Sequence, residues 1–303
     1  MKKILVPTDF SPTAEKAFRY ALNLALKNNS SVVLYHIYTP VESTFIDTPE
    51  KRQMYNIQME KNELKRLQRL KKKVAGASCP VPVETIIGRS PITNNILGFA
   101  EQNSVDLIVM GTQGANGLKK IIVGSEASRI AEESNVPVLL IPERFEWKEP
   151  EKIVFATDYG YSEINAIKVS IELAQLYQAD ITVVHLFAPN SIAALPDKEM
   201  ALFETFAEQL QKTFSHFPLR FKPIRTDSVK ETMENLHNEI PYDLLVMVRR
   251  NRSFLQKLFL KSFTKGMCYV TTYPLLVMPA DYKPEKNLFT HSIVSHEQQP
   301  NSI

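Results

Sequence analysis

Four residues in the first half of the chain have the types and spacing to do chemistry together. They are Gly111, Gly114, Gly124 and Ser125, in the pattern G-x2-G-x9-G-S. They belong to the stretch 106–125, DLIVMGTQGANGLKKIIVGS, which opens on an apolar run of strand length. Glycines placed after a strand let the backbone turn with positive φ and approach a ligand closely, so that successive N–H groups can point at phosphate oxygens. Ser125 then opens a helix, whose first N–H groups lack partners and favour an anion. A strand before and a helix after is the context a phosphate-binding reading requires. The alternative is a plain long loop, because glycine serves turns just as readily.

The elements that must position this loop can be read from periodicity. Residues 3–8, KILVPT, form a short apolar run that ends at Pro7 and Asp9. Ala14, Ala17, Phe18, Ala21, Leu22 and Ala25 then recur at helical spacing up to about residue 27, with Ser11-Pro12 as cap and first-turn residue. Residues 31–38, SVVLYHIY, are a second buried strand. A polar stretch over 39–56 leads into a charged helix ending near residue 73. Strands over 82–87, 106–110 and 137–141 alternate with helices over 91–102 and 125–133. Apolar strands alternating with helices predict a parallel sheet covered on both faces.

The second half repeats the first. Residues 3–40 align without a gap with 152–189, matching Thr8 with Thr157, Asp9 with Asp158, His36 with His185 and Pro40 with Pro189. Residues 105–142 align in the same way with 242–279. The polar, proline-containing link 143–151 marks the boundary, which gives domains at 1–143 and 150–280. From 281 to 303 there is no sustained period, and a loose tail is expected.

Composition narrows the function classes. A chain of 303 residues holds two cores of ordinary size, and a net charge of +3 does not by itself argue for nucleic acid. Cys79 and Cys268 are far apart and outside any CxxC spacing, so neither a disulfide framework nor a zinc site is expected. No apolar run reaches membrane-spanning length, and MKKILVPTDF breaks off too soon for a signal peptide. A cytoplasmic protein is expected. No pairing of nucleophile with base and no metal-ligand cluster is visible, so no catalytic residue and no metal site is assigned. His36 and His185 read as structural. The leucine stripe Leu64, Leu67, Leu70 of the charged helix reads as packing on the sheet rather than on a membrane or nucleic acid.

Three motifs, ILVPTDFS at 4–11, VVLYHIY at 32–38 and the Gly111, Gly114, Gly124, Ser125 pattern, together resemble the universal stress protein family, in its tandem two-domain form. The resemblance implies an α/β fold of two doubly wound domains, each a five-stranded parallel sheet of order 3-2-1-4-5 with helices on both faces. A ligand would then sit beyond the carboxyl ends of strands 1 and 4, where the chain order reverses. In the ATP-binding branch of that family the glycine pattern holds the triphosphate. Carried onto this chain, Gly111, Gly114 and Gly124 would supply backbone N–H groups, and Ser125 a hydroxyl and a helix start. Pro7, Thr8 and Asp9 would border the adenosine, with Asp9 accepting from a ribose hydroxyl. Ile37 would offer backbone groups to adenine, and Met110 would close the strand beneath. Two positions depart from the pattern. Ala127 stands where ATP-binding relatives often carry threonine, and Glu126 brings a negative charge toward the phosphates. That charge opposes binding unless it points away or holds an ion such as Mg²⁺.

The second copy differs at the same places: Gly111, Gly114 and Gly124 become Val248, Asn251 and Lys261, and only Ser125 persists, as Ser262. Its loop gathers Arg249, Arg250, Arg252, Lys257, Lys261 and Lys265, either an anion-binding surface or a solvated basic face. The leading expectation is a stress-response protein that binds ATP in its first domain as a signal or switch. Slow hydrolysis is the most catalysis foreseen. The second domain would pack on the first as a pseudo-dimer, structural or regulatory, with further homodimerisation open and no membrane or nucleic-acid partner. The alternative is a nucleotide-independent interaction protein that uses the basic loop. A nucleotide-dependent ligase is disfavoured, because no second catalytic motif accompanies the glycines.

Overall fold

A computed structural model of the chain describes residues 1–42, 48–112, 125–157, 159, 163–187, 196–225, 229–249, 272–280, 282–283 and 288–289. The first half runs β1 (Lys3–Pro7), α1 (Pro12–Lys27), β2 (Ser31–Tyr38), α2 (Pro49–Ala75), β3 (Val83–Arg89), α3 (Ile92–Gln102), β4 (Leu107–Gly111), α4 (Ser125–Glu133) and β5 (Val138–Ile141). The second half runs β6 (Lys152–Ala156), α5 (Glu163–Tyr177), β7 (Asp180–Phe187), α6 (Pro196–Thr213), β8 (Leu219–Arg225), α7 (Val229–Glu239), β9 (Leu244–Arg249) and β10 (Leu275–Pro279).

The strand order is β3-β2-β1-β4-β5-β10-β9-β6-β7-β8. Each half therefore has the expected 3-2-1-4-5 order, and its strands pair in parallel. The two five-stranded sheets join into one. β10 pairs antiparallel with β5, setting Leu275 opposite Leu140, Leu276 opposite Leu139 and Val277 opposite Val138. All six side chains are buried. A β5 edge left open would expose this apolar row and its unpaired backbone, and the second copy of the same element covers both.

Alternation along the strands divides the core into two layers. Ile4 and Val6 of β1 face a layer with Ala17 and Phe18 of α1 and Leu67 and Leu70 of α2. Leu5 points the other way, to Ile96 of α3 and Ile130 of α4. In the second half α5 and α6 join the first layer and α7 the second. Helix α1 starts where expected: the Ser11 hydroxyl accepts from the Ala14 amide at 3.1 Å, and Pro12 occupies the first turn. Helix α2 starts earlier than its charge pattern suggested. Thr48 caps it by accepting from the Lys51 amide at 3.3 Å, Pro49 follows, and Gly76 at φ 75° ends it.

Matching carboxylates pin the start of each half. Asp106 Oδ2 accepts from the Lys2 and Lys3 amides at 2.6 and 2.9 Å, and Asp243 Oδ2 from Glu151 and Lys152 at 2.9 and 3.1 Å. The link between the halves is anchored despite its polar sequence. Phe145 is buried, and Trp147 meets Tyr20 of α1 edge-on at 4.5 Å and Tyr177 of α5 at 6.5 Å. The stretch 281–303, expected to be loose, is fixed at Leu288 and Phe289, both buried in the first layer. Its lack of period hid two apolar residues that complete a core built by other elements.

Candidate functional site

The topology brings the ends of β1 and β4 side by side at the point where strand order reverses, Ile4 pairing with Leu107 and Leu5 with Ile108. Pro7 and Thr8 lie at the end of β1, both buried, and Asp9 follows, exposed. The turn into α1 is tightly specified. Thr8 Oγ1 accepts from the Phe10 amide at 3.0 Å, and Asp9 Oδ1 from the Ser11 amide at 3.0 Å. Ser11 is the helix cap, so Asp9 belongs to the turn before the helix and its carboxylate faces solvent.

His36 holds the same turn from β2. Its Nδ1 lies 2.7 Å from the Thr8 carbonyl, which can only accept, so Nδ1 carries the proton. The ring of Phe10, at φ 65°, lies 4.4 Å from the imidazole; Arg66 covers Phe10 at 4.0 Å, and Glu63 reaches His36 Nε2 at 3.5 Å. The second half repeats the device with Thr157, Tyr159 at φ 63° and His185, whose Nδ1 is 2.8 Å from the Thr157 carbonyl. The paired histidines are therefore turn clamps, as the absence of ligand spacing implied. Ile37, half-buried, is in register with Gly88 of β3, beyond the last β2 residue opposite β1.

On β4 Gly111 departs from the expected positive φ and has a packing role of its own. Its φ is not positive; a Cβ there would stand 2.7 Å from Thr13 Cγ2 and 2.9 Å from the Thr13 backbone. The glycine lets the first turn of α1 lie directly on the end of β4. The side chains of Met110 and Ala127 both belong to the apolar layer with Leu5 and Ile130, which leaves their backbone as the part available to a ligand. Thr112 is 2 % exposed, its amide donates to the Ile141 carbonyl at 3.0 Å, and its hydroxyl has no hydrogen-bond partner among the described residues. A buried hydroxyl left unpaired costs roughly 1–3 kcal/mol.

Ser125 opens α4 as expected. Glu126 is held by a residue that the sequence did not single out. The Thr93 hydroxyl, near the start of α3, donates to Glu126 Oε2 in a short hydrogen bond. That bond turns the carboxylate toward α3, one of the two conditions under which Glu126 would tolerate an anion at the start of α4. Thr93 is 32 residues upstream of Ser125 and carries no motif; only the packing of α3 on α4 reveals it. Gly114 and Gly124 lie outside the described residues.

The corresponding place in the second half is built differently. Thr157 donates to Glu163, a carboxylate 2 % exposed that stands where α1 has Ala14. Tyr159, stacked on His185, is backed by Phe203 and Phe206 of α6, whereas Phe10 and His36 meet the polar Arg66 and Glu63 of α2. Val248 is an ordinary buried strand residue of β9. Arg249 takes the position of Thr112 and donates to the Glu132 carbonyl in the last turn of α4, where a helix end favours a cation. Burial pushes its guanidinium pKa down, opposed by the charges of Glu132 and Glu133. This first arginine of the expected basic surface is thus spent on the contact between halves. Asp158 and the basic residues from Arg250 to Lys265 lie outside the described residues. Among those described, no three His, Cys, Asp or Glu side chains gather to hold a metal, and no helix is long and apolar enough to cross a membrane.

The sequence pattern of the Universal stress protein family matches residues 1–142 and again 150–279. A universal stress protein of Methanocaldococcus jannaschii is 32 % identical over 153 residues, which is 50 % of this chain and 84 % of that protein. Universal stress protein YxiE of Bacillus subtilis is 30 % identical over 147 residues, 46 % of this chain and 97 % of its own length. Such relatives correspond to one half at a time. The crystal structure of a universal stress protein from Archaeoglobus fulgidus spans both halves. It covers 92 % of this chain and 98 % of its own, with a TM-score of 0.66 at 14 % identity, a likeness of fold.

Proposed function

The chain belongs to the universal stress protein family, and from that premise we propose that its first half binds ATP, with the bound state acting as a signal, while the second half serves as its structural or regulatory partner. One observation carries the proposal: the two halves share a topology but equip the same reversal point in opposite ways. In the first, the exposed Asp9 carboxylate on a fixed turn, a side-chain-free Gly111 and a Thr112 hydroxyl without a partner among the described residues lie at the ends of β1 and β4, with Glu126 held by Thr93. In the second, Glu163 stands in place of Ala14, Val248 in place of Gly111 and an engaged Arg249 in place of Thr112.

The division of labour follows from the chemistry of each group. Backbone N–H groups of the glycine pattern and the start of α4 would take the phosphates, where unpartnered amides favour negative charge. Asp9 would accept from a ribose hydroxyl, and the backbone at Ile37 would border the base. Mg²⁺, where it accompanies the nucleotide, would neutralise phosphate charge. Thr112 would supply a hydroxyl beside Gly111. None of these groups is a base placed to activate water, so binding without rapid turnover is the activity proposed.

The test is mass spectrometry of ligand released by denaturing freshly purified protein, with thermal melting in millimolar ATP and Mg²⁺ alongside. ATP or ADP near one per chain, or a melting shift with ATP, supports the proposal. No nucleotide and no shift would overturn it, in favour of an interaction protein that works without nucleotide.

A further inference from the structure

Helix α2 carries nine of the chain's 36 basic residues and three of its 33 acids, so the remainder of a chain of net charge +3 is net acidic. Its charges are sorted by face. Leu67 and Leu70 are buried on the sheet side. The two acids in the middle of the helix are engaged there as well. Glu60 accepts from the Tyr38 hydroxyl at 2.9 Å and pairs with Arg89 at 3.1 Å, and Glu63 lies 3.5 Å from His36 and 3.6 Å from Arg66. On the opposite side Met54, Ile57, Lys61, Lys65, Arg69 and Lys72 follow one another at steps of three or four residues, and all are exposed. They form one line roughly 27 Å long.

Lys61, Lys65, Arg69 and Lys72 have no ion-pair or hydrogen-bond partner among the described residues, whereas Lys73, beside the line, pairs with Glu15 at 2.6 Å. Each neighbouring pair in the line, Lys61 with Lys65, Lys65 with Arg69 and Arg69 with Lys72, sets like charges at a spacing that destabilises a helix. A face that only meets water gains from mixed signs instead. Nor does the fold demand the pattern, because α6, in the same place in the second half, exposes Glu204, Glu208 and Lys212. The line also starts on apolar side chains, Met54 at 72 % and Ile57 at 44 % exposure. Uncompensated charge running on from bare apolar surface is a local cost of the kind retained where a surface is used.

We propose that the outer face of α2 docks an acidic helical peptide of a partner protein, whose carboxylates pair with Lys61, Lys65, Arg69 and Lys72 and whose apolar side chains cover Met54 and Ile57. Charge complementarity sets the class of partner, and the repeat fits, since residues one turn apart stand about 5–6 Å from each other on either helix. The apolar end separates a peptide from other polyanions. Phosphates of a nucleic acid would engage the cations and leave Met54 and Ile57 bare. A membrane surface would need apolar side chains along the whole line, and the buried leucines of α2 belong to the sheet side instead. The surface involves none of the groups assigned to the nucleotide.

Fluorescence anisotropy tests this on the full chain, with a labelled synthetic helical peptide that carries Glu at every fourth position and leucines at one end. Binding at low salt that weakens as salt rises is expected. Lys61→Glu with Lys65→Glu should weaken it by about tenfold or more, and Met54→Ser with Ile57→Ser by roughly threefold to tenfold, with melting curves showing both variants folded. Lys212→Glu on α6, the charge control, should leave binding within about twofold of the unaltered chain. On the peptide side, Gln in place of Glu should abolish binding to the unaltered chain. No binding at low salt would overturn the proposal, as would a Gln peptide that binds equally well. So would a loss in Lys212→Glu equal to that in the α2 variants, or no loss in those variants. Tighter binding of a single-stranded oligonucleotide or of anionic vesicles by the same lysines, indifferent to Met54 and Ile57, would overturn it too.

Discussion

At Gly111 the missing side chain matters because of Thr13. Adding a Cβ there forces it against a helix backbone that cannot swing aside, so Gly111→Ala is expected to destabilise the first half by roughly 1–3 kcal/mol in urea unfolding, as overpacking does. The glycine spacing drew attention to this residue, but its packing against Thr13 was hidden, because close approach between α1 and β4 is a tertiary fact. Asp243 carries a second prediction at this scale. Burial pushes its carboxyl pKa up, but Lys148 and the Glu151 and Lys152 amides outweigh that, and the net direction is down. A depressed folded pKa contributes stability above the ordinary Asp value, and that contribution is lost as pH falls through the folded one. Asp243→Asn should therefore cost about 1–3 kcal/mol at neutral pH, the scale of hydrogen bonds to a charge. The cost should fade once the pH drops below the usual aspartate range. Melting curves of both proteins across that window check the sign, and an equal difference at every pH would refute it.

Between elements, the packing of α3 on α4 sets where the Glu126 carboxylate lies. Thr93→Val removes the hydroxyl that holds Glu126 and leaves the carboxylate able to turn toward the phosphates. ATP affinity measured by titration should fall by roughly threefold to tenfold at low salt, and the loss should shrink as salt screens the charge. Unchanged affinity at low salt would mean that Glu126 stays clear of the site without Thr93. Most elements were legible in advance, since Ile4, Leu5 and Val6 on β1 or Ala17, Phe18 and Ala21 on α1 announce their period through their own side chains. The early start of α2 at Pro49 was not, because a cap and a proline outweighed a polar composition. Leu288 and Phe289 had no periodic neighbours to mark them, as their partners are Glu172 and Asn28 from distant parts of the chain.

Across the whole molecule, duplication supplies both the architecture and the comparison on which the proposed site rests. The repeat announced two similar domains; the antiparallel β5–β10 join that fuses them into one ten-stranded sheet could not be read from it, because edge pairing leaves no mark beyond apolar strands. The same join gives the second half a purpose independent of any ligand. It covers the β5 edge and turns Arg249 onto α4 of its neighbour. The proposed function accordingly requires one nucleotide per chain, held in the first half. Calorimetric titration of the chain with ATP and Mg²⁺, repeated on Gly114→Val, tests that assignment most directly. One ATP per chain, lost in the variant, is the result predicted; two sites per chain, or full affinity in Gly114→Val, would contradict it.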